Sequence, residues 1–133
     1  MSEYRVELRV FYADTDQMGV VYYANYLKWF EAGRANYLRQ RGISYRQIEE
    51  NGFLLPVTES YCRYLAPARY DDIIEVHARV IKVGRATVKF HYRITRKEDG
   101  RELATGYTQH FCQDKEGRIS RLPAFLSDVL KLA

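Results

Sequence analysis

The sequence is poor in the residue types that build metal clusters and disulfide scaffolds. Its 133 residues include two cysteines, three histidines and three prolines. Cys62 and Cys112 lack metal-ligand spacing and fall in segments that we predict to be strands, so we expect two buried thiols rather than a disulfide or a zinc site. These scarcities disfavour a bound metal and a redox role.

Long apolar runs and low-complexity segments are also missing. No stretch has the length and apolar content of a membrane span, and no block of like charge is typical of disorder. The chain begins with the charged segment MSEYR and passes directly into an alternating pattern, which does not resemble a signal peptide. We expect a cytoplasmic protein in which residues 1–133 form a single domain.

Apolar periodicity predicts an α+β order of elements. Residues 4–12 alternate as a half-buried strand, and residues 22–41 repeat apolar residues at helical spacing. Ser44 and Gln47 fit a capping box that opens a short helix, which Gly52 ends. Further strands are predicted at 53–65, 72–83, 85–96 and 102–113, and a last short helix at 123–130.

These strands predict an antiparallel sheet with one apolar face. Only the helix at residues 22–41 is long and apolar enough to cover that face, so we expect the sheet to wrap around it. Asp99 and Gly100 predict a type I′ hairpin turn between the last two strands, because this turn needs positive φ at both central positions. The unpaired edges of such a sheet favour dimerisation.

Two segments carry a family resemblance: residues 12–26, with the sequence YADTDQMGVVYYANY, and residues 64–72, with the sequence YLAPARYDD. They resemble the 4-hydroxybenzoyl-CoA thioesterase and YbgC-type branch of the hotdog family, and the element order fits that family from end to end. The resemblance implies a five-stranded antiparallel sheet wrapped around one long central helix. It also implies a thioesterase that hydrolyses a small or medium acyl-CoA and assembles as homodimers or homotetramers, with the active site between subunits.

The resemblance makes Asp16, the second Asp of the D-x-D pair, the catalytic carboxylate and leaves Asp14 a structural role. A helix N-terminus favours the ionised form of a nearby carboxylate, which can act as nucleophile or general base. The backbone N–H groups of Tyr22, Tyr23 and Ala24 at the helix start are candidates for polarising the thioester oxygen. Because a thioester is an activated acyl group, no cofactor or metal is expected.

Three side chains are candidate substrate contacts. Tyr23 lies seven residues after Asp16. The YbgC branch often carries His at this position, whereas the aryl-CoA branch resembles this chain in carrying Tyr. Asn25 suits either a bond to a backbone group of the loop or a contact with substrate. Glu31 suits either an ion pair with a neighbouring Arg or a contact with a polar acyl group, and the ion pair is favoured.

Cationic residues at strand ends and turns fit either CoA phosphate binding or a solvated basic rim. The candidates for phosphate binding are Arg69, Lys82 and Arg85. His77 and His91 occupy outward positions of their strands and are expected at the surface, whereas the alternation around His110 fits an interior position. None of the three has the spacing of a metal site.

Other function classes are weighed against these residues. A hotdog dehydratase needs a catalytic His near the helix, and the first His of this chain is His77. The net charge of +4 is compatible with nucleic-acid binding, but the predicted aromatic positions face inward rather than forming an exposed stacking surface. An acyl-carrier-protein thioesterase and a non-catalytic acyl-CoA binding module remain open alternatives.

Overall fold

Alternating apolar and polar residues form a five-stranded antiparallel sheet in the computed structural model, which describes residues 2–131. The strands are β1 (Glu3–Arg9), β2 (Val57–Tyr64), β3 (Ile73–Val83), β4 (Thr87–Arg96) and β5 (Glu102–Phe111), in the spatial order β1-β3-β4-β5-β2. The helices are α1 (Asn25–Gln40), α2 (Tyr45–Glu50) and α3 (Ala124–Leu130). Across residues 2–131 no helix has the length and hydropathy that crossing a membrane requires.

Helix α1 packs on the apolar face of the sheet, mainly against β1 and β3. Phe30 stacks on Tyr92 of β4 with ring centroids 4.3 Å apart, and both side chains are fully buried. Gly33 permits the close approach, since a Cβ there would lie 2.7 Å from Cγ1 of Val76. The predicted wrapping of the sheet around one long helix is confirmed.

Several element boundaries differ from the prediction. Strand β1 ends at Arg9 because the chain turns into a 3-10 helix at Tyr12–Asp14. Helix α1 begins at residue 25 instead of 22, and the N–H of Tyr22 donates to the Asp14 carbonyl in the β1–α1 loop. Strand β2 starts at residue 57 instead of 53, just after Pro56, which has no N–H to donate to a sheet.

The β4–β5 hairpin forms, but its turn is not type I′. A four-residue loop, 97–100, is closed by the N–H of Arg96 donating to the carbonyl of Arg101 at 2.9 Å. Of the described residues in this loop, Gly100 alone has positive φ (+69°), so Asp99 does not adopt the conformation that a type I′ turn requires. The predicted capping box of α2 is confirmed, with Ser44 Oγ 3.2 Å from the N–H of Gln47.

Buried polar side chains differ in part from the expectations. Both cysteines are free, but Cys112 is buried and Cys62 only half-buried. His77 was predicted at the surface and is instead 8% exposed, because neighbouring side chains cover it and its Nε2 lies 3.1 Å from Oγ1 of Thr95. His110 is 1% exposed and faces the interior, as expected.

Candidate active site

The loop between β1 and α1 is a closed turn built on Asp16. The Asp16 N–H donates to the Val20 carbonyl at 2.9 Å, and Asp16 Oδ1 accepts from the N–H of Met18 at 2.8 Å. Gly19 has φ +78°, a conformation that glycine adopts without the steric penalty of a side chain. Among residues 2–131, Oδ2 of Asp16 has no hydrogen-bond partner. The turn therefore orients the carboxylate and leaves one oxygen available.

Asp14 is the buried carboxylate of the D-x-D pair. Its Oδ1 lies 2.8 Å from Nζ of Lys28, and its Oδ2 accepts from the N–H of Phe11 at 2.9 Å. Burial alone would raise the pKa of Asp14, but the bonds to Lys28 and to the Phe11 N–H outweigh burial and lower it. Asp14 is therefore ionised and fully occupied within the fold.

The backbone of Asp14 joins the loop to the start of α1. Its carbonyl accepts from the N–H of Tyr22 and from Nδ2 of Asn25, both at 2.9 Å. Asn25 thus makes the loop-fixing bond considered from the sequence. Of the three N–H groups that were candidates for polarising the thioester oxygen, that of Tyr22 is taken by the Asp14 carbonyl. In residues 2–131 the helix start contacts Asp14, and no bond joins it to Asp16.

Two backbone donors remain at the start of α1. The N–H groups of residues 25–27 each bond to the carbonyl three positions back, which tightens the first turn. Within the described chain, the N–H groups of Tyr23 and Ala24 have no acceptor. Unpaired donors at a helix N-terminus can hydrogen-bond an oxygen on which negative charge develops.

The second motif segment packs beside the Asp16 loop. The N–H of Val21 donates to the Ala68 carbonyl at 2.9 Å, and the Ala68 N–H donates to the Tyr26 hydroxyl at 3.1 Å. Arg96 holds this corner from the other side through a 2.9 Å bond to the Pro67 carbonyl. The two segments that carry the family resemblance are therefore neighbours in space.

Tyr23 has an exposed side chain next to the site. Its ring lies 4.7 Å from that of Tyr22 and 6.2 Å from that of Tyr64, centroid to centroid. The Tyr64 hydroxyl donates to the Tyr23 carbonyl at 3.1 Å, and burial, followed by the nearby Cys62, raises the pKa of Tyr64 to about 12. An aromatic surface therefore adjoins the two free N–H groups.

A cavity of about 420 Å³ lies between α1, α2 and the sheet. It follows α1 from Lys28 to Leu38, which is about 15 Å along the helix axis. Its lining residues are Lys28, Glu31, Ala32, Arg34, Ala35, Leu38, Tyr45, Leu55, Phe90 and His110. Because Lys28 both lines the cavity and bonds Asp14, one end of the cavity is tied to the loop that carries Asp16.

The buried side of the cavity contains a chain of hydrogen bonds. His110 Nδ1 lies 2.9 Å from the Leu55 carbonyl and its Nε2 lies 2.8 Å from Oγ1 of Thr108, which is 2.5 Å from the Tyr92 hydroxyl. Burial lowers the pKa of His110 to about 4, so the ring is neutral at pH 7. Since a carbonyl only accepts, Nδ1 carries the proton and Nε2 accepts from Thr108.

The residues proposed to bind CoA phosphates do not assemble within one subunit. Strand β1 ends at Arg9, opposite Ile73, and Lys82 follows nine residues later on β3, about 30 Å away at ordinary strand rise. Arg85 lies on the next turn, so it is also at the far end of the sheet. Arg69 is exposed at the corner beside the Asp16 loop and is the one member of the set near the site.

Glu31 lines the cavity at an exposed position of α1. The predicted ion pair with an Arg was wrong, since no cationic atom in residues 2–131 lies within 4.0 Å of its carboxylate. The sequence also failed to identify Lys28 and Arg34 as cavity residues. The available signal was their spacing of three positions on either side of Glu31, which places all three on one face of the helix.

Comparisons with known proteins agree with this architecture. A model of the thioesterase-like superfamily matches residues 10–131. A putative esterase from Aquifex aeolicus is 37% identical over 92% of this chain and 94% of that protein. The putative acyl-CoA thioesterase YneP of Bacillus subtilis is 36% identical over 83% of this chain and 79% of that protein. The crystal structure of Slr0204, a 1,4-dihydroxy-2-naphthoyl-CoA thioesterase from Synechocystis, has a TM-score of 0.89 and 25% identity, covering 97% of this chain and 96% of that chain.

A five-stranded antiparallel sheet wrapped around one long helix is the hotdog fold. The family match spans nearly all of the described residues. The chain belongs to the thioesterase-like superfamily.

Proposed function

We propose that this protein is an acyl-CoA thioesterase in which Asp16 is the catalytic carboxylate. The observation that carries the proposal is the free Oδ2 of Asp16 in a loop that leads to the unused N–H groups of Tyr23 and Ala24. A carboxylate and backbone donors are the two elements that hydrolysis of an activated acyl group requires. The names of the relatives YneP and Slr0204 support acyl-CoA as the substrate class.

The chemistry follows from these groups. Asp16 either attacks the thioester carbonyl carbon or removes a proton from the attacking water. If Asp16 attacks, the C–S bond breaks to leave an acyl–Asp16 anhydride, which a water molecule then hydrolyses to the free acid and the regenerated carboxylate. If water attacks, its oxygen adds to the carbonyl carbon and the C–S bond breaks to give the free acid directly. In both cases CoA leaves as the thiolate. Hydrogen bonds from the N–H groups of Tyr23 and Ala24 stabilise the charge that develops on the carbonyl oxygen, and one such donor is typically worth about 10²–10³ in rate.

The remaining contacts are assigned by position. Glu31 lines the cavity, whose volume of about 420 Å³ suits a small or medium acyl group. The Tyr23 ring and Asn25 are proposed to contact the substrate nearer the Asp16 loop. Arg69 is proposed to bind a CoA phosphate in the same subunit. Lys82 and Arg85 are assigned to CoA bound at a site of another subunit, because they lie far from Asp16 in their own.

We also propose that the protein works as a homodimer joined through the β2 edge, or as a homotetramer made of two such dimers. Strand β2 is unpaired on one side and its large side chains are exposed, Tyr61 at 48% and Tyr64 at 46%. An exposed edge with apolar side chains favours pairing with a second copy. Light scattering at assay concentration tests this, and a monomeric mass would contradict it. The two free cysteines are consistent with the cytoplasm as its location.

Thiol release tests the reaction. Purified wild type and the Asp16→Asn variant are given short, long and aryl acyl-CoAs and, in parallel, the same acyl groups on acyl-carrier protein. We expect wild-type turnover of acyl-CoA and its loss in the variant, because Asn has nearly the same shape but is neither base nor carboxylate nucleophile. Turnover of the carrier-protein substrates alone would show that the protein is an acyl-carrier-protein thioesterase. Binding of acyl-CoA without any hydrolysis would show that it is a non-catalytic acyl-CoA binding module.

A further inference from the structure

Arg34 is a cation of the cavity without an acidic partner. It is half-buried on α1 and lines the cavity, yet within residues 2–131 no carboxylate oxygen lies within 4.0 Å of its guanidinium. Lys28, the other cation of the lining, is bound to Asp14 at 2.8 Å. A guanidinium presents five N–H donors in a fixed fork, and partial burial makes unpaired donors costly. Arg34 therefore has donors available for a ligand.

The guanidinium of Arg34 has a neutral neighbour, and no carboxylate of residues 2–131 is paired with it. Its guanidinium lies beside the Tyr92 hydroxyl, which is 2.5 Å from Oγ1 of Thr108. Because His110 Nε2 accepts the Thr108 proton, Thr108 accepts from Tyr92, and the Tyr92 oxygen keeps only lone pairs for Arg34. The chain of bonds thus gives the guanidinium one neutral acceptor. The charge of Arg34 remains uncompensated.

Among residues 2–131, Glu31 is the one acidic residue that lines the cavity. It lies three positions before Arg34 and is exposed, while its carboxylate makes no ion pair in the part of the chain that the structure describes. In the absence of a ligand it competes for Arg34, since i,i+3 side chains on a helix can meet. It should therefore oppose an anionic ligand rather than help it.

The rest of the lining is mostly apolar, including Ala32, Ala35, Leu38 and Phe90. Such walls suit methylene groups or a ring between the thioester and Arg34. Arg34 lies ten positions after Ala24, which is about 15 Å along the helix axis. Helical side chains lean back toward the N-terminus, so the distance from the Ala24 N–H to the Arg34 guanidinium is roughly 10 Å. An extended chain of about eight carbons covers that span.

We propose that Arg34 forms an anion subsite inside the cavity that selects acyl groups ending in a carboxylate, so that the preferred substrates are mono-CoA thioesters of dicarboxylic acids. This inference rests on the proposed function, because it places the thioester beside Asp16 and the free N–H groups of α1. A carboxylate matches the guanidinium fork in two parallel hydrogen bonds.

The test compares two substrates of equal length, suberyl-CoA and octanoyl-CoA, in the full-length protein. We expect wild type to prefer suberyl-CoA in kcat/KM. Arg34→Gln should lower kcat/KM for suberyl-CoA about 10- to 100-fold while changing octanoyl-CoA little. Arg34→Lys should retain part of the preference, because it keeps the charge and loses the fork. Glu31→Gln, the matched control on the same helix face, should increase the preference.

Equal loss of both activities in Arg34→Gln, or a wild-type preference for octanoyl-CoA, would overturn the inference while leaving the proposed function intact. If neither thioester nor any other acyl-CoA of the panel is hydrolysed, the proposed function fails, and calorimetric titration with free suberate then tests the subsite alone. Suberate binding by wild type that is lost in Arg34→Gln supports the anion subsite. Equal suberate affinity in the two proteins, or no binding to either protein, rejects the subsite. Far-ultraviolet circular dichroism and urea unfolding show that each variant is folded.

Discussion

Replacing Asp14 by Asn should destabilise the fold rather than remove a catalytic group. In wild type each Asp14 oxygen has its own donor, Nζ of Lys28 at 2.8 Å and the N–H of Phe11 at 2.9 Å. The single oxygen of Asn can accept from only one of them, and the amide NH₂ opposes the other. Hydrogen bonds to charged groups contribute about 1.5–3 kcal/mol each, and the partial exposure of Lys28 weakens the Coulomb part.

We therefore expect Asp14→Asn to lower the free energy of unfolding by about 1.5–3 kcal/mol. For a domain of this size that corresponds to a fall in Tm of roughly 4–12 °C. Urea unfolding at a fixed protein concentration measures the change, since assembly would otherwise shift the apparent stability. Asp128→Asn is the matched control, because its pair with Lys131 is exposed at 68% and 70% and should contribute no more than about 0.5 kcal/mol.

The pH dependence provides a second check. The pKa of Asp14 is lowered on folding, so its contribution is complete above the unfolded value, about 3.9, and is lost as the pH falls through the folded value. Asp14→Asn should accordingly flatten the acid limb of the stability curve. A loss no larger than that of Asp128→Asn, with an unchanged acid limb, would refute the reasoning.

Three further predictions concern the core, a buried His and the oxyanion donors. Gly106→Ala should lower the unfolding free energy by at least about 1–3 kcal/mol, because the new Cβ would overlap the Tyr61 carbonyl and lie 2.8 Å from the Phe30 ring. Urea unfolding measures the change, and an unchanged unfolding free energy would contradict this packing. His110 is neutral in the folded protein, so the unfolding free energy should decrease as the pH falls from about 6.5 toward about 4. His110→Gln should remove the part of this pH dependence that His110 contributes and leave the parts that His77 and His91 contribute. Ala24→Pro removes one free N–H and should lower kcat about 10²–10³. Because Ala24 is the third residue of the Tyr22–Asn25 turn, where proline disfavours the helical conformation of the preceding residue, urea unfolding must show that the variant is folded before unchanged kcat excludes this donor.

The strongly periodic segments were predictable because burial on one face fixes their pattern. Strands β3 and β4 and the body of α1 follow this rule, and their inward residues form the core. The start of α1 did not follow it. Tyr22 fits a helical pattern, but its N–H bonds the Asp14 carbonyl, a contact that local sequence does not encode.

The site was predictable where a contiguous motif defines it and not where topology does. The Asp16 turn lies within one motif, so its position followed from residues 12–26. Lys82 and Arg85 were grouped with it on charge and turn position alone, and the sheet order puts them at the opposite end. The proposed role of Arg34 depends on the absence of an acidic partner among residues 2–131, which only three-dimensional packing reveals.

The most direct test of Asp16 separates kcat from substrate binding in three proteins, wild type, Asp16→Asn and Asp14→Asn, on the best acyl-CoA found. We predict that Asp16→Asn keeps the wild-type affinity and unfolding free energy while kcat falls at least about 10²–10⁴-fold, the range for a lost general base. Asp14→Asn should lose stability first and retain turnover while it is folded. Near-normal kcat in Asp16→Asn, together with a folded but inactive Asp14→Asn, would contradict the assignment.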